Sequence, residues 1–156
     1  MRHFLIVNPS SGTDSPTVAE LRDAASARGV EVRLLEDGDD LQELGRSAGA
    51  DVLGMAGGDG SLAAVAEVAI EQDVPFVCIP FGTRNHFARD LGLDRDDPIG
   101  ALSAFGDGVE RAVAAGHAEH VGSGTPRELL QIVPVLEQTH IDAAGARRVA
   151  KLRDGW

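Results

Sequence analysis

The glycine run at residues 57–61, which reads Gly-Gly-Asp-Gly-Ser, lies between the apolar strand pattern of residues 52–56 and a helical pattern that begins near Leu62. Glycine lets a backbone turn tightly and approach a ligand closely, and the free amides at the start of a helix attract an anion. The carboxylate of Asp59 would repel a phosphate unless a metal ion or a transferred proton lies between them. The run therefore indicates a site for a nucleotide with Mg²⁺. A turn whose glycines serve packing alone is the alternative.

Two other nucleotide-binding motifs can be tested against this run. A Walker loop requires a lysine directly after its last glycine, but Ser61 follows Gly60. A dinucleotide fingerprint can be aligned with Gly58, Gly60 and Ala63, yet it normally follows the first strand and needs an acidic residue about 20 positions further on. The corresponding residues 79–83 contain no carboxylate. The run is therefore not a Walker loop, and a nicotinamide-dependent dehydrogenase is disfavoured.

Strand patterns and helical patterns alternate through the first part of the chain. The predicted strands cover residues 3–7, 30–35, 52–56 and 75–79, and the predicted helices cover residues 15–28, 40–48, 62–70 and 97–105. This alternation predicts an α/β fold, a Rossmann-like parallel sheet with helices on both faces. Ligands bind at the carboxyl ends of the strands in such sheets. Polar turns follow strands one, three and four, so all three turns are expected at that edge.

Cap residues and the C-terminal segments give weaker signals. Ser15 with Pro16 is typical of an N-cap and first helical turn, and Asp39 or Asp40 can cap the second helix. Further along, residues 86–91 predict a short helical turn, residues 110–121 a strand or an irregular link, residues 129–136 an apolar segment broken by Pro134, and residues 142–152 a small helix.

Size, composition and charge narrow the class of protein. With 156 residues, of which 43% are apolar and 25% charged, the chain is expected to form one domain with a core of its own. A net charge of −11 disfavours binding to nucleic acid, and any lipid contact must be local and apolar. The sequence has no transmembrane pattern and no signal peptide, so a cytoplasmic location is expected. Cys78 is the only cysteine, which excludes an internal disulfide and a cysteine-based metal site.

Three motifs, in order along the chain, carry a resemblance to a known family. They are Asn-Pro-Ser-Ser-Gly at residues 8–12, the glycine run at residues 57–61, and Pro-Phe-Gly-Thr-Arg-Asn-His-Phe-Ala-Arg at residues 80–89. Together they resemble the diacylglycerol kinase catalytic domain, which bacterial lipid kinases and sphingosine kinases share. The resemblance covers about residues 3–113. We therefore expect residues 1–113 to form a nucleotide-binding domain of this type and residues 114–156 to form a C-terminal tail.

The resemblance implies that ATP lies across the strand ends with Mg²⁺, and that its γ-phosphoryl group is transferred to the hydroxyl of a diacylglycerol-like lipid. The nucleotide-binding residues that it implies are Asn8, Ser11, Gly12, Gly57, Gly58, Asp59, Gly60, Ser61, Thr83 and Asn85. Asp59 is the candidate catalytic residue and metal ligand. Its carboxylate would act through Mg²⁺ or would accept the proton of the lipid hydroxyl.

Three features depart from the family pattern. His86 stands where the family usually has aspartate, and a neutral imidazole cannot replace a carboxylate on Mg²⁺. A solvent-facing histidine at a helix start is the alternative to a role in the site. Ser61 replaces the commoner threonine and keeps the hydroxyl. The acidic residues within 36–40 are expected to form a solvated cap region, although the family places a nucleotide contact in this turn.

Family members also carry a second, mostly β domain that supplies lipid contacts and an acidic proton acceptor. Residues 114–156 are too few for it, so we expect this domain to be lacking and assign no catalytic base there. The alternatives to a lipid kinase are a non-catalytic nucleotide-binding module and an NAD kinase-like enzyme, which shares a similar glycine and aspartate run. Residues 82–89 favour the lipid kinases. A domain without its usual neighbour exposes apolar surface, so self-association into a homo-oligomer is a further expectation.

Overall fold

The computed structural model describes residues 1–12, 15–82, 86, 96–114, 128–134 and 146–148. Its strands are β1 (His3–Val7), β2 (Glu31–Leu34), β3 (Val52–Gly57), β4 (Phe76–Pro80), β5 (Gly108–Ala114), β6 (Glu128–Pro134) and β7 (Ala146–Arg148). Its helices are α1 (Val18–Ala27), α2 (Leu41–Ser47), α3 (Asp59–Gln72), α4 (Pro98–Ala101) and α5 (Ala104–Asp107). The predicted helical turn at residues 86–91 lies outside the described residues, apart from His86.

The described strands form one seven-stranded sheet in the order β2-β1-β3-β4-β6-β5-β7. β1 pairs in parallel with β2 and β3, and β4 pairs in parallel with β3 and β6. The predicted parallel arrangement of the first four strands is therefore confirmed, with β2 at an edge. β5 runs antiparallel to both β6 and β7, so the far side of the sheet is mixed.

Helices pack on both faces of the sheet, as predicted. Leu53 and Met55 of β3 join the core that includes residues of α3, whereas Val52 and Ala56 join the core that includes residues of α1, α4 and α5. This alternation follows from the two-residue period of a strand. Because β1, β3 and β4 are covered on both sides, their sequences are continuous apolar runs rather than alternating ones.

Hydrogen bonds at the N-termini define where the helices begin. α1 begins after Thr17, whose hydroxyl accepts from the Glu20 amide at 3.1 Å while the Glu20 carboxylate accepts from the Thr17 amide at 2.7 Å. This capping box shows that the predicted start at Ser15 was wrong. At α2 the cap is Asp40, which accepts from the Glu43 amide at 3.1 Å.

The segment after residue 96 also differs in part from its prediction. Asp97 caps α4 by accepting from the Gly100 amide at 2.8 Å, as expected, but the single helix predicted through residue 105 is divided into α4 and α5.

The predicted helix at residues 142–152 is wrong at Ala146–Arg148, which form β7. β7 forms by pairing with β5, and local sequence does not show such a distant partner. The boundary between a 1–113 domain and a 114–156 tail stays a prediction.

Gly54 is a position where the fold requires the absence of a side chain. A Cβ atom there would lie 2.6 Å from Cζ of Phe105 and 3.1 Å from Cδ1 of Leu5. Both neighbours are buried, so we expect Gly54→Ala to lower the free energy of unfolding by about 1–3 kcal/mol, as overpacking does. Urea denaturation would measure the change. The control is Gly106→Ala, because no described atom lies within 4 Å of a Cβ there. Equal stability of the two variants would contradict the packing of Phe105 against β3.

Candidate functional site

The ends of three neighbouring strands bring the predicted polar turns together. Val7 pairs with Ala56, and Gly57 pairs with Pro80, so β1, β3 and β4 end side by side. Parallel strands have their carboxyl ends at the same edge, which is where open α/β sheets bind ligands. The turn after β1 and the junction after β3 are described there. Thr83 and Asn85 of the third motif lie outside the described residues.

The junction after β3 is shorter than the sequence pattern indicates. β3 ends at Gly57, Gly58 is the N-cap, and α3 begins at Asp59 rather than near Leu62. Asp59, Gly60 and Ser61 are therefore the first turn of a helix, and Leu62 donates its amide to the Gly58 carbonyl at 3.0 Å. The N-cap Gly58 has no side chain that could cap this end. The first amides of a helix have no acceptor within the helix, and the dipole makes this end electropositive, so the junction is suited to an anion.

The glycines of this junction differ in what surrounds them. A Cβ at Gly57 would lie 3.0 Å from Cε of Met55 and 3.1 Å from Cβ of Ser61, so the protein's own packing requires that glycine. At Gly58 and Gly60, no described atom lies within 4 Å of the Cβ position apart from those of the chain neighbours and the backbone of α3. Neither residue has a positive φ angle. Among the described residues, neither packing nor backbone conformation explains these two glycines, and open space against the backbone fits a closely bound group.

Asn8 connects the turn after β1 to the first turn of α3. Its backbone amide donates to the Ala56 carbonyl at 2.9 Å, and its side-chain Oδ1 accepts from the Ser10 amide at 3.0 Å. Its Nδ2 donates to Oγ of Ser61 at 3.4 Å. Its carbonyl accepts from the Ser11 amide at 3.2 Å. The structure therefore places the predicted residues Asn8, Ser11 and Ser61 in one connected group.

Phe81 closes the group from the side of β4, and sequence reasoning did not single it out. Its backbone amide donates to the Gly57 carbonyl at 3.4 Å, and its side chain is 3% exposed. A Cβ added at Gly12 would overlap the Phe81 ring, so this glycine is needed for the close approach of ring and turn. An apolar residue directly after a buried strand, with a glycine in a neighbouring turn, was the available signal.

Asp59 is the acidic residue in the first turn of α3. Within the described part of the chain, no group of three or more His, Cys, Asp and Glu side chains is placed to hold a metal. Mg²⁺ at nucleotide sites is usually held by one or two carboxylates together with phosphate oxygens and water. The carboxylate of Asp59, on the first turn of α3 and next to Gly58 and Gly60, fits that donor set.

The acidic turn after β2 is occupied by contacts within the protein. The carboxylate of Asp39 accepts from the Glu36 amide at 2.9 Å and pairs with the Arg33 guanidinium at 3.2 Å. Asp40 caps α2. These contacts confirm Asp40, of the two candidates, as the cap.

The fold and its strand-end junction define a Rossmann-like α/β domain with a glycine-rich first helical turn. The family described as the diacylglycerol kinase catalytic domain has a sequence model that matches residues 2–118 of this chain. The chain belongs to this family, and the resemblance carried by the three sequence motifs is confirmed.

Curated relatives agree with this assignment. The chain is 31% identical over 121 residues to a diacylglycerol kinase of Mycobacterium tuberculosis and 37% identical over 127 residues to a probable lipid kinase YegS-like of Stenotrophomonas maltophilia. These matches cover 73% and 72% of this chain, but the chain spans only 39% of the length of either relative.

A diacylglycerol kinase crystal structure from Bacillus anthracis has a similar fold, with a TM-score of 0.55 over 74% of this chain and 48% of that chain. Its sequence identity is 21%, so it supports the fold alone. In the described part of the chain, no helix has the length and apolar character needed to span a membrane.

The contrast between the glycines can be tested by stability alone. We expect Gly60→Ala to leave the free energy of unfolding unchanged or to raise it by up to about 0.5–1 kcal/mol, because alanine suits a helix better than glycine. Gly57→Ala should lower it by about 1 kcal/mol or more, because its Cβ meets Met55 and Ser61. Chemical denaturation of both variants would measure the difference. A destabilised Gly60→Ala would show that protein atoms fill the space at Gly60.

Proposed function

We propose that this chain is the ATP-binding domain of a lipid kinase that transfers the γ-phosphoryl group of ATP to the hydroxyl of a diacylglycerol-like lipid. Membership of a kinase family implies the use of ATP, and the curated relatives are named as diacylglycerol and lipid kinases. The space that the described residues leave open at Gly58 and Gly60, at the start of α3, is the observation that carries the proposal. A cytoplasmic location is part of it, because ATP is the co-substrate.

In this proposal the junction after β3 binds the phosphates, and contacts from the turn after β1 keep that junction in place. Backbone amides of the first turn of α3 donate to phosphate oxygens, and the helix dipole stabilises their charge. The hydroxyl of Ser61 adds a donor. Thr83 and Asn85 stay proposed contributors from the third motif. Phosphoryl transfer depends mainly on such positioning and on neutralising charge, so a site of amides, hydroxyls, a carboxylate and Mg²⁺ would suffice in kind.

Asp59 is proposed as the metal ligand and catalytic residue. When bound, Mg²⁺ would neutralise charge on the phosphates and remove the repulsion between them and this carboxylate. In the transfer, the lipid oxygen forms a bond to the γ-phosphorus, the bond from that phosphorus to the bridging oxygen breaks, and ADP leaves. The hydroxyl proton must go to an acceptor, and Asp59 lies on the turn where the phosphates are proposed to bind.

Nucleotide binding without turnover is the second candidate. The matched region spans 39% of the length of each curated relative, and the acidic proton acceptor that the resemblance implies for a second domain is not assigned to any residue of this chain. Family membership favours both candidates over an NAD kinase-like enzyme.

ATP binding can be tested by thermal denaturation. A ligand at 100 times its dissociation constant stabilises the folded state by about 2.7 kcal/mol, so millimolar ATP with Mg²⁺ should raise the Tm by several degrees. Gly58→Ala should keep the Tm of the free protein but lose most of this shift, because its Cβ enters the space proposed for the phosphates. Gly106→Ala should keep the shift, because its neighbour Phe105 lies beside His3, at the opposite end of β1 from the junction. No shift in the wild-type protein would contradict every proposal that involves a nucleotide.

Turnover separates the two candidates. We expect labelled phosphatidate to form from labelled ATP and diacylglycerol micelles, and we expect Asp59→Asn to reduce its rate at least about 100-fold, the range for loss of a general base. Asp73→Asn is the matched control, since it lies at the other end of α3 with a φ angle of 55° that asparagine tolerates. ATP binding without phosphatidate would favour the second candidate. Full activity of Asp59→Asn would contradict the role of this carboxylate.

A further inference from the structure

We propose that Asn8 is a positioning residue: it holds Ser61 so that the hydroxyl hydrogen of Ser61 stays available for a bound phosphate. This rests on the proposed function, because the group that receives the hydrogen is a phosphate oxygen of ATP. The sequence resemblance implies instead that Asn8 is itself among the nucleotide-binding residues. The hydrogen bonds of Asn8 favour a role through Ser61.

The orientation of the Asn8 amide follows from its partners. A backbone amide can only donate, so the atom that faces the Ser10 amide at 3.0 Å must be the oxygen, Oδ1. Nδ2 must then face Ser61, whose Oγ lies 3.4 Å away. An amide nitrogen donates and does not accept. The direction of this hydrogen bond is therefore determined, and Asn8 is the donor.

The direction of that bond leaves Ser61 with a hydrogen to donate. A serine hydroxyl has one hydrogen and two lone pairs, and the bond from Asn8 uses a lone pair. In helices a serine often donates to the carbonyl four residues earlier, which here belongs to Gly57. Among the described residues, no hydrogen bond joins Oγ of Ser61 to that carbonyl, which accepts from the Phe81 amide at 3.4 Å. The hydroxyl of Ser61 thus lies on the first turn of α3 as a donor.

Packing restricts the position of the Ser61 side chain as well. The space where Gly57 would carry a Cβ is bounded by Cβ of Ser61 at 3.1 Å and by Cβ of Asn8 at 3.5 Å. Asn8 is also tied to β3 through its backbone amide, which donates to the Ala56 carbonyl at 2.9 Å. The donor group and the residue it orients therefore belong to one tightly packed unit at the strand ends.

A double-mutant cycle tests this inference. Asn8→Ser keeps a side-chain acceptor for the Ser10 amide but is too short to reach Ser61, and it adds no charge. By calorimetric titration of ATP with Mg²⁺, we expect Asn8→Ser and Ser61→Ala each to raise the dissociation constant about three- to tenfold, the range for one hydrogen bond. The double variant should bind no more weakly than Ser61→Ala alone. Adenosine, which lacks phosphates, should bind all four proteins equally.

The inference would be overturned if the increase in the dissociation constant of the double variant equalled the product of the two single increases, because Asn8 would then act independently of Ser61. The inference would also be overturned if the variants lost as much affinity for adenosine as for ATP, since the effect would then not depend on the phosphates. Unchanged melting temperatures of the ligand-free variants would exclude a general loss of structure.

A measurement without nucleotide separates this inference from the proposed function. In NMR spectra of the free protein, Ser61→Ala should shift the Asn8 side-chain amide protons and speed their exchange, whereas Ser61→Thr should preserve the signal because threonine keeps a hydroxyl. No change in Ser61→Ala would overturn the inference. Absence of ATP binding by the wild-type protein would overturn the proposed function, and the NMR comparison would still decide whether Asn8 holds Ser61.

Discussion

Only one residue, Gly58, separates the last residue of β3 from the first residue of α3. This short connection is the constraint on which the site depends, because it brings the electropositive first turn of a 14-residue helix directly to the carboxyl edge of the sheet. A longer loop would move these amides away from the strand ends. The pairing of β3 with β1 and β4 then determines which other turns lie beside it.

Three contacts join the turns around this connection. Asn8 donates to Ser61, Phe81 donates to the Gly57 carbonyl, and the Phe81 ring packs against Gly12. Each hydrogen bond contributes only about 0.5–1.5 kcal/mol to stability. Their joint effect is to order the turns before any ligand binds, which lowers the conformational entropy lost on binding. The glycines at 12 and 57 serve this packing, whereas those at 58 and 60 leave space open at the described surface.

Much of the fold follows from local sequence, and the exceptions have physical causes. β1 was predicted at its observed residues, since a short apolar run bounded by polar turn residues has few alternatives. The start of α3 was misplaced because its first turn contains glycine, aspartate and serine, which carry no helical pattern, and only the termination of β3 places them in the helix. The three-residue β7 depends on its partner β5, distant in sequence. Thr17, and not the predicted Ser15, is the N-cap of α1, because Thr17 forms a capping box with Glu20.

The turns of the candidate site were predicted more completely than the contacts that join them. Residues 57–61 and the turn at residues 8–12 were recognised from their types and order. The roles of Asn8 and Phe81 as connectors arise from contacts between turns that are far apart along the chain, so spacing alone could not show them. An amide and an aromatic ring do not show which neighbouring turn they contact until the strand order is known.

The proposed function depends on the binding of phosphates at the first turn of α3. Titration of the labelled protein with a non-hydrolysable ATP analogue and Mg²⁺, followed by backbone-amide NMR, tests it most directly. We expect the largest shifts at Gly58, Gly60 and Ser61, with little change at Asp73 at the opposite end of the same helix. Saturable shifts confined to a surface away from the ends of β1, β3 and β4 would contradict it.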